Sequence, residues 1–163
     1  MPSQQVVDCV QLLANRRLTF AFVESVTAGR LAAEFALTQA TDDCLLGGIV
    51  CYHVDTKKNL LHIPAALIEQ FTPESPEVTQ AITQSLNNHF KTADILVGVT
   101  GLAWAGGSET EEKPVGSMFF HLIIQGRHYS HQAVFNGSAE NLILQAIDRV
   151  AVLIMQYVNS HSS

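Results

Sequence analysis

Residues 93–100 form a nearly unbroken apolar run, with Ile95, Leu96, Val97 and Val99 close together. A strand with one wet face alternates apolar and polar side chains. A short run without that alternation belongs to a strand covered on both faces, as in layered α/β folds. Residues 18–24 supply a second apolar and β-forming stretch. Residues 45–53 supply a third, in which Gly47-Gly48 marks a bulge or a close backbone approach.

Helical spacing lies between these runs. Val6, Val7, Val10, Leu13 and Ala14 repeat it over residues 4–15, and residues 27–38 and 54–61 continue it, with a short helix from Pro64. Ser75 is the expected N-cap of a helix carrying Val78, Ile82, Leu86 and Phe90. Ser138 opens a last helix with Leu142, Ala146, Val150 and Ile154 on its apolar side. Residues 115–124 and 129–135 read as a hairpin, and residues 101–114 as a long loop. Strands separated by helices pair in parallel, and the late hairpin adds antiparallel pairing. The expected fold is α/β: a three-layer α/β/α sandwich with a mixed, mainly parallel central sheet, built as one domain over residues 1–163.

Composition narrows the functional classes. A hydrophobic content of 47% is ample for a core, while only 15% of residues are charged, which predicts surface shared in a homodimer or higher homo-oligomer. A net charge of -6, with basic residues clustered no further than Arg16-Arg17 and Lys57-Lys58, argues against a nucleic-acid partner. No apolar run approaches the about 18–20 residues of a membrane span, so no membrane partner is expected. Cys9, Cys44 and Cys51 are widely spaced in apolar contexts and read as buried thiols of a cytoplasmic protein.

The chemistry concentrates at strand ends, where open α/β sheets bind ligands. Glu24-Ser25-Val26-Thr27-Ala28-Gly29 runs from a strand into a helix start, a corner suited to an anion or an activated nucleophile. A serine needs a base to take its proton. No G-x-S-x-G elbow and no Ser-His-Asp order stands out, and the seven histidines form no ligand set. Lys57 can serve as that base if its surroundings make it neutral, with Tyr52 relaying a proton or orienting the amine.

Three blocks resemble those of the CinA C-terminal domain family, which includes nicotinamide-mononucleotide amidases. Residues 22–29 are similar to its E-S-C-T-A/G-G signature. Gly47-Gly48-Ile49-Val50-Cys51-Tyr52, followed by Asp55-Thr56-Lys57, resembles its G-G-x-V-x-Y-S-N-E-A-K stretch. Val99-Thr100-Gly101-Leu102-Ala103, Gly106-Gly107-Ser108 and Lys113-Pro114-Val115-Gly116 resemble its T/S-G-I-A-G-P-x-G-G…K-P-V-G segment. The likeness spans almost the whole chain in the family's order. It implies Ser25 as nucleophile, Lys57 as general base and Tyr52 as assistant in hydrolysing a carboxamide through an acyl-enzyme, with ammonia released and no metal or organic cofactor.

The resemblance further implies a small-molecule nucleotide substrate held by Glu24, Thr27, Gly29, Gly48, Thr100, Gly101, Gly106 and Gly107. Backbone N–H groups near Thr27 or Thr100-Gly101 would hold the oxyanion, and the Gly106-Gly107-Ser108 loop would approach a phosphate. Several positions depart from the pattern: Val26 for Cys, His53-Val54 for Ser-Asn, Trp104-Ala105 for Gly-Pro, Thr72-Pro73-Glu74-Ser75 for G-A-V-S, and no arginine soon after Gly137. They imply an altered pocket and motivate a second reading, a catalytically inactive paralogue acting as a nucleotide-binding or regulatory module.

Plainer roles compete for several of these residues. Ser25 or Thr27 could be a helix N-cap. Glu24 could orient polar groups or pair with a buried cation. Glu109, Glu111 and Glu112 read as a solvated loop edge. Trp104 could stack on a ring, plug the pocket or anchor its loop.

Overall fold

The computed structural model describes residues 1–161. Ser3 starts the first helix, its Oγ accepting the Val6 N–H at 3.3 Å. Helix α1 (Gln4–Arg16) then buries Val6, Cys9, Val10 and Leu13 and stops at Arg17, which turns left-handed at φ 55°. Strand β1 (Phe20–Glu24), helix α2 (Arg30–Ala36) and strand β2 (Leu45–Val50) follow. Three helices come next: α3 (Val54–Asn59), α4 (Ala65–Phe71) and α5 (Pro76–Ser85). Ser75 caps α5 through its Oγ on the Val78 N–H at 3.2 Å. Strands β3 (Ile95–Gly101), β4 (Ser117–Ile124) and β5 (Arg127–Val134) complete the sheet, and α6 (Ala139–Ser160) closes the chain behind its N-cap Ser138.

The strand order is β2-β1-β3-β4-β5. Strand β1 pairs in parallel with β2 and β3, and β4 pairs antiparallel with β3 and β5. Four strands therefore point one way and only β4 opposes them. The β4–β5 turn is reduced to Gln125 and Gly126, both left-handed at φ 49° and φ 80°, the geometry of a tight hairpin. Strand β2 ends at Val50, and its register against β1 slips beside Leu46, just before Gly47-Gly48.

Helices cover both faces because the strand side chains alternate between two cores. Phe20, Phe22, Val97, Val99, Phe120 and Leu122 pack with α1, α2 and α6. Ala21, Val23, Leu96 and Ile123 pack with apolar residues of α4 and α5. Phe22 and Phe35 meet edge-on with ring centroids 5.0 Å apart, and burial of each such ring contributes about 1.5–3 kcal/mol. Gly98 faces the second core so closely that a Cβ there would overlap Thr83 Oγ1 on α5.

Helix α6 is, by length and composition, long and apolar enough to cross a membrane, a stretch that the sequence reading did not count. Its apolar stripe of Leu142, Ala146, Val150, Ile154 and Val158 is buried against the sheet layer, which accounts for its composition as a core helix.

Candidate active site

The site forms where β1 and β3 end side by side. The Ser25 N–H donates to Val99 O at 3.0 Å, tying the residue after β1 to β3. The chain then turns through Ala28 (φ 49°) and Gly29 (φ 96°) before α2 begins at Arg30, three residues later than the apolar spacing predicts. Glu24 explains the delay. Its Oε2 accepts from Thr27 Oγ1 at 2.6 Å and from the Gly29 and Leu31 N–H groups at 3.0 Å each, while Oε1 accepts from the Ala32 N–H at 2.9 Å. The helix start is thus filled by the chain's own carboxylate. The Gly29, Leu31 and Ala32 amides are therefore not open to an anion.

Helix α3 delivers the amine. His53 caps it, with Nδ1 accepting the Asp55 N–H at 3.1 Å, and the Cys51 N–H donates to Glu24 O at 2.7 Å. This places Lys57 with its side chain fully buried. Its Nζ lies 2.9 Å from Ser25 Oγ, 2.8 Å from Cys51 O and 3.5 Å from Tyr52 O. Burial pushes the amine below the ordinary lysine range, with Cys51 and Glu74 opposing that shift. A neutral amine has two N–H donors and one lone pair. The two carbonyls can accept the donors, which leaves the lone pair for the Ser25 hydroxyl proton.

A cleft of about 260 Å³ opens beside Ser25. Tyr52 and Trp104 stand at its rim, 60% and 69% exposed, and Glu74, Gly101, Gly106 and Gly107 complete the wall. The indole therefore does not fill the cleft. Tyr52 lines the cleft, and its hydrogen-bond contact with Lys57 is through its backbone carbonyl.

Two loops are clamped across the cleft. Lys113 Nζ donates to Thr72 Oγ1 at 2.7 Å, Ser108 Oγ at 2.9 Å and Glu74 O at 3.0 Å, and Ser108 Oγ donates to Glu74 Oε2 at 2.6 Å. Thr72 sits at φ 70°, ψ 156°, a region almost confined to glycine, so the clamp holds a strained turn in place. On the other loop, Glu109 folds back. Its carboxylate accepts the N–H groups of Gly106 at 2.6 Å and Gly107 at 2.8 Å.

Of the residues singled out from the sequence, Ser25, Lys57, Tyr52, Gly101, Gly106 and Gly107 come together at the cleft. Glu24 and Thr27 are buried in the cap of α2. Gly29 is its N-cap residue, and Gly48 is packed against Phe22 O, 3.2 Å from where a Cβ would stand. Thr100 is fully buried with its hydroxyl 2.8 Å from that of Thr79. These five support the site from behind and do not line it. Glu74, Ser108, Lys113 and Glu109 were missed as interacting groups. The signals were the exchange of a family glycine for Thr72 and the lysine of the K-P-V-G block. Among the described residues, no group of three or more His, Cys, Asp or Glu is placed to hold a metal ion.

Residues 3–158 match the family model of the CinA C-terminal domain. A CinA-like protein of Mycobacterium marinum is 37% identical over 140 residues, 85% of this chain and 32% of that protein. Another from Mycobacterium avium is 43% identical over 110 residues, 68% of this chain and 24% of that protein. The chain thus spans about a quarter to a third of the curated relatives it matches. The crystal structure of the competence damage-inducible protein A from Klebsiella pneumoniae superposes with a TM-score of 0.89 over 96% of both chains at 22% identity, a likeness of fold.

Proposed function

Since the chain belongs to the CinA C-terminal domain family, we propose that it is an amidohydrolase acting on the carboxamide of nicotinamide mononucleotide or a related nucleotide amide. The observation that carries this reading is the buried Lys57 amine 2.9 Å from Ser25 Oγ beside an open cleft. Ser25 Oγ attacks the amide carbonyl as Lys57 takes its proton, giving a tetrahedral intermediate. The Val26 N–H, next to Ser25 in the cleft lining and without a hydrogen-bond partner among the described residues, is the amide left for the oxyanion. Collapse breaks the C–N bond, Lys57 returns the proton to the departing nitrogen, and ammonia leaves. Water activated by the same amine then attacks the acyl ester, freeing the carboxylic acid and Ser25.

An indole filling the cleft would favour the reading as a nucleotide-binding or regulatory module without catalysis, and the exposed Trp104 does not supply that support. Three free, buried cysteines support a cytoplasmic location, and exposed Leu46 and Val50 on edge strand β2 support a homodimer or higher homo-oligomer. Light scattering on the purified chain checks the latter, a monomer refuting it. The activity test is ammonia release from a panel of nucleotide amides. Turnover is expected for the intact chain and not for a folded Ser25→Ala variant, and no turnover of any amide overturns the assignment.

A further inference from the structure

Trp104 is 69% exposed, and apart from Met1 no large apolar side chain among the described residues is more so. Tryptophan is highly buried on average, so an indole left in water at the rim of a cleft calls for a reason. Leu102 and Ala103 just before it are buried, and the chain leaves the core at Trp104. The family pattern has Gly-Pro at positions 104 and 105, so the ring is this chain's own addition.

Three roles are open to such a ring, and the structure removes two. It is no plug, because the cleft of about 260 Å³ stays open beside it. Nor does the indole anchor its loop, which polar groups already hold. The Glu109 carboxylate takes the Gly106 and Gly107 N–H groups, and Lys113 ties Ser108 to the turn at Thr72 and Glu74. That clamp is balanced in charge, since the Lys113 ammonium and the Glu74 carboxylate are joined through Ser108. The indole itself makes no hydrogen bond and no ring contact among the described residues. Its remaining role is to meet what enters the cleft.

We infer that Trp104 is the face on which the substrate's ring stacks, and that it selects a cationic pyridinium over an uncharged ring. Among aromatic side chains the indole attracts a cation best, through the quadrupole of its ring. A pyridinium is planar and positively charged, so it offers stacking area and charge to the same surface. Ser25 and Trp104 line the same cleft, so a ring lying on the indole can hold its carboxamide toward the nucleophile. The ring's identity rests on the amidohydrolase reading, yet stacking is a property of binding and is measurable without turnover.

Calorimetric titration of the folded Ser25→Ala protein compares nicotinamide mononucleotide with its reduced dihydropyridine form. The reduced form keeps the carboxamide, ribose and phosphate and loses only the ring cation. The oxidised form is expected to bind about tenfold more tightly. Adding Trp104→Leu, which keeps apolar bulk, should weaken the oxidised form about tenfold and leave the reduced form within about twofold. Adding Trp104→Phe instead should recover part of the loss. Equal affinity for the two forms, equal losses for both in Trp104→Leu, or no binding of either form overturns the inference. If Trp104→Leu in the active chain releases ammonia with the parent's KM, the inference falls and the activity stands. If the preference and its loss hold but the intact chain hydrolyses no amide, the proposed activity falls and the stacking stands.

Discussion

Lys57 and Ser25, 32 residues apart in sequence, meet with Nζ 2.9 Å from Oγ in a place where the amine has no exposed surface. The proximity and the dryness act together. Burial disfavours the ammonium ion, and the serine supplies the proton that a neutral amine can take.

Lys57→Arg should preserve the positive charge and abolish base catalysis, because a guanidinium does not deprotonate in proteins. Ammonia release is expected to fall by at least about 100-fold, the usual contribution of a general base. Circular dichroism would separate this loss from misfolding.

The pH profile should carry the same signature. Lys57 acts after losing its proton, so kcat/KM is expected to rise with pH through a midpoint below the ordinary lysine value of 10.5. A profile flat across neutral and alkaline pH would remove Lys57 from the base role.

Glu24→Ala should weaken the fold and the site together. It removes the acceptor for three backbone N–H groups and the Thr27 hydroxyl. Urea unfolding is expected to show a loss of about 3 kcal/mol, since the amides lose a charged partner where water is scarce.

His121 sets a predicted sensitivity to acid. It is buried, with Nδ1 2.7 Å from Ser130 Oγ and Nε2 3.0 Å from His128 Nδ1. Burial, with the charge of His128 adding to it, holds His121 down at about 4. The unfolded chain takes its proton near 6.5, so between pH 6.5 and about 4 it binds more protons than the folded chain. Stability is present above 6.5 and lost as pH falls through that window, by roughly 3 kcal/mol in all. Chemical denaturation at a series of pH values should show this slope, and His121→Asn should flatten it.

Gly98→Ala tests the packing of α5 on the sheet. The new Cβ overlaps Thr83 Oγ1, so helix or strand has to shift, at a cost of about 1–3 kcal/mol. A midpoint of thermal unfolding equal to that of the parent chain would show that this interface is looser than its geometry.

Much of the fold was legible because it rests on short-range patterns. The unalternating run at Ile95–Gly101 required helices on both faces, and Ser75 and Ser138 announced their helices through capping chemistry. The start of α2 was misplaced for a tertiary reason. Helical spacing resumes at Thr27, but the Glu24 carboxylate gathers amides as far on as Ala32 and holds residues 25–29 in a turn. The apolar stripe of α6 was read as the structure has it, matched to a sheet face.

The clamp beside the cleft was not legible. Glu109 reads as a solvated acid in the sequence, yet its carboxylate takes the Gly106 and Gly107 N–H groups, while Glu74 is held by Ser108 and Lys113 from a second loop. By itself, the sequence determined the order of elements, the family motifs and the chemical types of Ser25 and Lys57, because propensity, capping and motif spacing act along the chain. Only the tertiary structure decided that Glu24 caps instead of binding, that Lys57 is dry and that Glu109 accepts the Gly106 and Gly107 N–H groups. Burial and hydrogen-bond partnership depend on which distant segments the sheet brings together, and no local pattern encodes them.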